Sequence, residues 1–308
     1  MKKLNRRILL VCVLAIILLL SACGQAENSN VVNEPTTTEP VTQTIEPTLD
    51  ATPIQTVEST VEPTATPEPE KPLFELVTFF AEDGLMVNAD LYMTEDTTAP
   101  YIILFHMADS SRGEYKSIAP QLMEIGYNCM AVDQRAGNSK IYVEAGISSG
   151  GGGIYNLTAV NLERMTNKMS YSEKNKKGLL PSYEFAYRDM KAALLYVRDE
   201  LKAENIIIWG SSYSSSLVFV LGSEFPDDVK GLLSFSPGEY FSFGDKTFKD
   251  FAANVMCPVL VASEIEASEE IYHCVRFDIK EYHRVSAHGS PAANSIWESV
   301  VNFLNNLH

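Results

Sequence analysis

The apolar run Ile206-Ile207-Ile208-Trp209 ends abruptly in Gly210-Ser211-Ser212-Tyr213-Ser214. Such a run reads as a buried strand, and the small residues after it permit a sharp turn into a helix with Ser212 at the apex. A strained turn of this kind lifts the apical hydroxyl clear of the sheet, where a base can take its proton and make it a nucleophile. The pattern is G-x-S-x-G with one departure, Ser214 in place of the second glycine. Serine is still small enough for close packing of helix on strand. The bland alternative is a serine-rich strand–helix turn without chemistry. What separates the two is whether the chain also supplies a base, an orienting acid and two N–H donors for a developing oxyanion.

Five histidines are present. His106 ends an apolar run, His273 falls on an expected helix, His283 lies in a late strand, and His308 is terminal. His288 stands in Ala287-His288-Gly289-Ser290, a small-residue loop between the last expected strand and the last helix. Loops at that end of an open sheet overhang its carboxyl edge, where sites form. His288 is therefore the expected base. The oxyanion donors are expected to be the amide of Tyr213, directly after the serine, and that of Met107, in the loop running from His106 to Tyr115. His106 is expected to shape that loop. Asp133 and Arg135, in Asp133-Gln134-Arg135-Ala136-Gly137, are expected to brace neighbouring loops by hydrogen bonds.

The elements that would position these groups are readable from periodicity. Phe74–Ala81 and Leu85–Met93 flank the turn Glu82-Asp83-Gly84 and form an opening hairpin. Further strands are expected at Tyr101–His106, Asn128–Val132, Asn205–Trp209, Gly231–Phe235, Pro258–Ala262 and about Phe277–His283. Helical stretches lie between them, with Met190, Ala193, Leu194 and Val197 on one face and Ile296, Val300, Phe303 and Leu307 on another. Continuous apolar strands alternating with amphipathic helices predict an α/β fold, a mostly parallel eight-stranded sheet with helices on both faces. The acid is expected in the loop after Pro258–Ala262, in Ser263-Glu264-Ile265-Glu266-Ala267, which has no aspartate. Glu266 stands closest to the expected offset, with Glu264 second.

The loop from His106 to Tyr115, the turn Asp133-x-Arg135-x-Gly137, the serine turn and His288-Gly289 come in an order that resembles the bacterial α/β-hydrolases grouped with dienelactone hydrolase-like proteins and serine esterases. The resemblance spans nearly all of Leu73 to His308. It implies the α/β-hydrolase fold and hydrolysis of esters or related acyl compounds by Ser212, His288 and Glu266, without metal or cofactor. Dienelactone hydrolases proper carry a cysteine at the apex where this chain has Ser212. The stretch from about 138 to 182 is longer than a usual connection and contains Gly150 to Gly153; in the resembling proteins such insertions often overlie the site. Its tyrosines Tyr142, Tyr155 and Tyr171 either line a substrate pocket or simply pack.

Ahead of the domain stand three segments. Lys2, Lys3, Arg6 and Arg7 precede the unbroken apolar stretch Ile8 to Leu20, and Leu20-Ser21-Ala22-Cys23 follows. This reads as an export signal over residues 1–22, and its end resembles the bacterial lipobox, so Cys23 is expected to carry lipid and anchor the chain to a membrane. Residues 23–72 are rich in Thr, Pro and Glu without apolar periodicity and cannot bury a core. They are expected to form an extended tether of up to roughly 150 Å, at ~3.1 Å per residue. The net charge of −16 falls four units further once the basic leader is removed. Such acidity argues against nucleic acid as a partner. Of the cysteines after Cys23, Cys129, Cys257 and Cys274 make no metal-type spacing; Cys257 and Cys274 either pair or stay as buried thiols. The expected protein is thus an extracytoplasmic, lipid-anchored, monomeric esterase. Two other readings are a non-catalytic surface lipoprotein that binds a ligand on the same scaffold, and a peptidase or other acyl hydrolase.

Overall fold

In the computed structural model the described residues are 72–96, 98–140 and 153–307. The leader, Cys23 and the tether as far as residue 71 lie outside them, as do Tyr142 and Gly150 to Gly152. Eight strands form one sheet: β1 (Glu75–Phe80), β2 (Met86–Tyr92), β3 (Tyr101–Phe105), β4 (Asn128–Val132), β5 (Ile206–Ser211), β6 (Val229–Phe235), β7 (Val259–Ser263) and β8 (Lys280–Arg284). The order is β1-β2-β4-β3-β5-β6-β7-β8. β2 pairs antiparallel with both β1 and β4, and every other pairing is parallel. The hairpin turns at Gly84, whose φ of 80° suits glycine, and its N–H donates to the Ala81 carbonyl.

The central strands are apolar throughout because both faces of the sheet are covered. Ile103, Phe105, Ile206 and Ile208 point into one core, and Ile102, Leu104, Ile207 and Trp209 into the other. The first core is filled by α4 (Tyr183–Asp199) and α5 (Tyr213–Glu224), the second by α1 (Ile118–Glu124) and α8 (Trp297–Asn305). α2 (Leu157–Thr166) and α3 (Tyr171–Lys177) belong to the long insertion, and α6 (Phe248–Ala252) and α7 (Ala267–Cys274) follow β6 and β7. α2 is tied to β2: the Asn88 amide donates to the Thr158 hydroxyl at 2.9 Å, and Asn161 Nδ2 donates to the Asn88 side-chain oxygen at 2.8 Å.

Two buried arginines brace the loops around the sheet's carboxyl edge. Arg112 bonds Asp90 of β2 and Asp133 beyond β4, at 2.7 and 2.8 Å. Arg135 reaches Asp83 in the hairpin turn at 2.6 Å and Asp189 of α4 at 2.7 Å. The bracing role expected of Asp133 and Arg135 is the one these contacts describe. Cys129, Cys257 and Cys274 are free thiols, so the alternative of a Cys257–Cys274 pair does not hold.

Candidate active site

The site lies where β5, β6 and β7 end. Ser212 caps α5 with φ 55° and ψ −121°, a left-handed backbone that L-residues adopt only under constraint. Its N–H is held by the Phe235 carbonyl at 2.8 Å. Gly210 is obligatory, since a Cβ there would meet the Ser214 carbonyl oxygen at 2.5 Å and the Ser215 Cα at 2.6 Å. Ser214 costs the turn nothing. Its buried Oγ accepts from the Ser211 N–H at 3.0 Å and faces the carbonyls of Phe105 and His106 at 2.7 and 2.8 Å. The departure from glycine thus stitches the serine turn to the loop after β3.

His288 Nε2 lies 2.8 Å from Ser212 Oγ. His288 Nδ1 lies 2.5 Å from Glu264 Oε1, and the other carboxylate oxygen, Oε2, accepts the Ser236 hydroxyl at 2.6 Å. Burial works against the charge of Glu264, but the hydrogen bonds from Ser236 and His288 outweigh it and hold the carboxyl below its ordinary range. Ser212 and His288 are therefore brought together as expected, with Glu264 as their third member. Glu266 is displaced from that position. β7 runs one residue further than its apolar core, to Ser263, and the chain turns at once, the Ile265 N–H donating to the Ser263 hydroxyl at 2.9 Å. Glu264 leaves the strand toward His288, whereas Glu266, two residues on, stands exposed at the start of α7. The expected consequence is a divided result. Glu264→Gln lowers kcat for an activated ester by about 10³–10⁴, as for triads whose acid becomes an amide, and Glu266→Gln leaves it within twofold. Steady-state kinetics of the two variants checks this.

Ser236 went unnoticed in the sequence. It ends β6 with φ 62°, donates to Glu264 and accepts the Gly289 N–H at 2.9 Å, so one hydroxyl fixes both the acid and the histidine loop. The non-glycine residue at positive φ just past a buried strand is the structural sign of its role. Gly289 itself has φ 66°, and a Cβ there would meet Ser211 Oγ at 2.5 Å.

The donor expected at Met107 is engaged elsewhere. Its N–H donates to Glu114 Oε2 at 2.9 Å. Among the described residues, the next amide, Ala108, donates to no protein acceptor. Tyr213 is the first helical residue of α5, so its N–H has no partner in the helix. His106 is buried and faces neither Ser212 nor His288. Its Nδ1 lies 2.6 Å from the Met107 carbonyl, and its Nε2 accepts the Gln134 N–H at 3.0 Å. The ring is the neutral Nδ1–H tautomer, and burial pushes its pKa down to about 4. It shapes the loop, as expected.

A cleft of about 400 Å³ opens beside these groups, walled by Asp109, Pro181, Tyr183 and Phe241. Tyr183 stacks on Tyr213 with ring centroids 4.4 Å apart, which places this wall next to the serine turn. The aromatic lining therefore comes from the start of α4 and the segment after β6. Tyr155 and Tyr171 are exposed, 44% and 74%, and answer to neither role expected of them.

No protein-family model matches the chain, and no curated protein matches its sequence. Solved structures do match in shape. The Pyrococcus furiosus esterase Pf2001 superposes with a TM-score of 0.51 at 18% identity, over 76% of this chain and 92% of that one. A dienelactone hydrolase from Anabaena variabilis gives 0.52 at 11% identity, over 76% and 99%. A cold-adapted esterase from an Arctic intertidal metagenomic library gives 0.54 at 17% identity, over 77% and 96%. Strand order, the serine turn after β5 and these likenesses lead to one conclusion: the chain has the α/β-hydrolase fold, in the form seen in these esterases and in dienelactone hydrolase.

Proposed function

We propose that the protein is a serine hydrolase that cleaves small carboxylic esters. The observation that carries this reading is the continuous hydrogen-bonded chain from Ser212 Oγ through His288 to Glu264. His288 Nε2 takes the Ser212 proton as Oγ attacks the acyl carbon, while Nδ1–H stays bonded to Glu264, which stabilises the imidazolium that forms. The carbonyl oxygen, now an oxyanion, receives the N–H groups of Tyr213 and Ala108, the latter in place of Met107. His288 returns the proton to the leaving alcohol, and water, activated by the same imidazole, then releases the acid from Ser212. These steps draw on protein groups alone. The apolar, partly aromatic cleft beside Tyr213 and its modest volume favour a small acyl or alcohol group.

The reading extends to place. The basic and apolar leader followed by Leu20-Ser21-Ala22-Cys23 supports lipid attachment at Cys23 outside the cytoplasm, with the acidic Thr/Pro-rich stretch as a tether. The test is one experiment with two labels. A fluorescent phosphonate is expected to label Ser212 in the wild type and not in Ser212→Ala, alongside turnover of short-chain aryl esters. Radiolabelled palmitate fed to expressing cells is expected to enter the wild type and not Cys23→Ser. Folded protein that resists the phosphonate and turns over no ester would favour a ligand-binding scaffold, and absence of palmitate label would remove the anchor.

A further inference from the structure

Glu114 is a buried carboxyl with no task in the steps above. It sits in the short 3-10 helix Arg112–Tyr115 after β3, among the loops that carry the nucleophile, the base and the oxyanion donor. Oε2 accepts the Met107 N–H at 2.9 Å, while Oε1 is buried without a hydrogen bond. Burial pushes its pKa up; the surrounding hydroxyls of Ser211, Ser110 and Ser290 offset this in part, and no cation contributes. A carboxyl so placed is favoured as the neutral acid.

The geometry around Met107 gives this group a consequence. A peptide unit is planar and trans, so its C=O and N–H point in opposite directions. The Met107 carbonyl is held by His106 Nδ1–H at 2.6 Å, which fixes the peptide plane shared with Ala108. The Met107 N–H is held by Glu114, which fixes the plane before it. With both planes set, the Ala108 N–H has one direction, away from His106, and no protein acceptor takes it up.

We propose that Glu114 is a positioning residue for the oxyanion site: by accepting the Met107 N–H it completes, with His106, a two-point clamp that presets the Ala108 amide before substrate arrives. The role rests on the serine-hydrolase reading above. Preset donors matter because their reorganisation is not part of the activation barrier. In the neutral form Glu114 offers one carbonyl acceptor and one O–H donor, a pattern glutamine reproduces with its C=O and NH₂. Leucine keeps the volume and removes the acceptor.

The experiment compares Glu114→Gln, Glu114→Leu and Glu114→Asp in the full folded domain, with thermal melts alongside kinetics on an activated short-chain ester. Glu114→Gln is expected to keep kcat within about threefold of the wild type. Glu114→Leu is expected to lose about 10²–10³ in kcat, the cost of one oxyanion donor, with KM changed less than about threefold. The phosphonate labelling rate should fall with kcat. Glu114→Asp, which draws the carboxyl back from Met107, is expected to lose kcat in the same direction and serves if the leucine variant does not fold. Wild-type kcat in either folded Leu or Asp variant overturns the role, as does a folded Gln variant as impaired as Leu. A loss expressed only in KM or in melting temperature overturns it too. A wild type that ignores the phosphonate removes the hydrolase reading and this role with it, whereas labelling that is indifferent to Glu114 removes the role alone.

Discussion

Ser212→Ala is expected to lower kcat for an activated ester by about 10⁴-fold or more, and the double variant Ser212→Ala/His288→Ala to lie no lower than the single one. Nucleophile and base act as a unit, so losing either removes nearly all that the unit supplies. What persists is binding and the donation of the Tyr213 and Ala108 amides, which the substitutions leave in place. Alanine shares the positive φ of Ser212 and keeps the Phe235 carbonyl bonded to the residue 212 N–H. The melting temperature should therefore stay close to that of the wild type, which separates loss of chemistry from loss of fold. Burst-free progress curves and melts of both variants check this. A double variant tenfold below the single one would mean that His288 acts through something other than Ser212.

What made Ser212 legible is that its neighbours are constrained by backbone geometry alone. Gly210 has no room for a side chain, and the strand before it is apolar because it is covered on both faces. The strands were readable for that same reason, as were the hairpin at Gly84 and the helical face of Met190, Ala193, Leu194 and Val197. The insertion of β4 between β2 and β3 was not, since strand order depends on crossovers that leave no local pattern. The acid was misplaced by two residues because an offset counted from apolar residues stops at Ala262, while the strand continues through polar Ser263. The oxyanion donor was misplaced by one because a carboxylate seven residues further along the chain had already taken the Met107 amide. Both errors come from single hydrogen bonds, which spacing does not encode. Ser236 shows the same limit from the other side: its hydroxyl organises Glu264 and Gly289, yet nothing in Phe235-Ser236-Pro237-Gly238 points to it before the fold is known.

Arg135→Met is expected to cost about 3–5 kcal/mol of stability, the range for removing one partner of a buried ion pair, or roughly 10 °C in melting temperature for a domain of this size. The guanidinium is fully buried and its donors are all used: Nη1 on Asp83 and the Gly178 carbonyl, Nη2 on Asp83 and Asp189, Nε on Asp189. It therefore joins the β1–β2 turn, the end of the insertion and α4 through one side chain. Asp83 retains Arg188 at 3.1 Å after the substitution, but Asp189 is wholly buried and keeps only the residue 135 N–H. Burial already raises the Asp189 pKa against the pull of Arg135. Without that pull the folded-state pKa rises further above its unfolded value. Stability tied to a raised pKa is present below the unfolded value and lost as pH rises through the folded one. The deficit of Arg135→Met should thus be largest at neutral pH and narrow as pH falls toward 5. Adding Asp189→Asn to Arg135→Met removes the stranded charge, and the double variant should recover part of the loss at neutral pH while showing little of the acid narrowing. Urea unfolding of the three variants at pH 7 and pH 5 gives the comparison. Strict additivity of the two substitutions would mean that the pair carries no coupling and that Arg135 stabilises through packing alone.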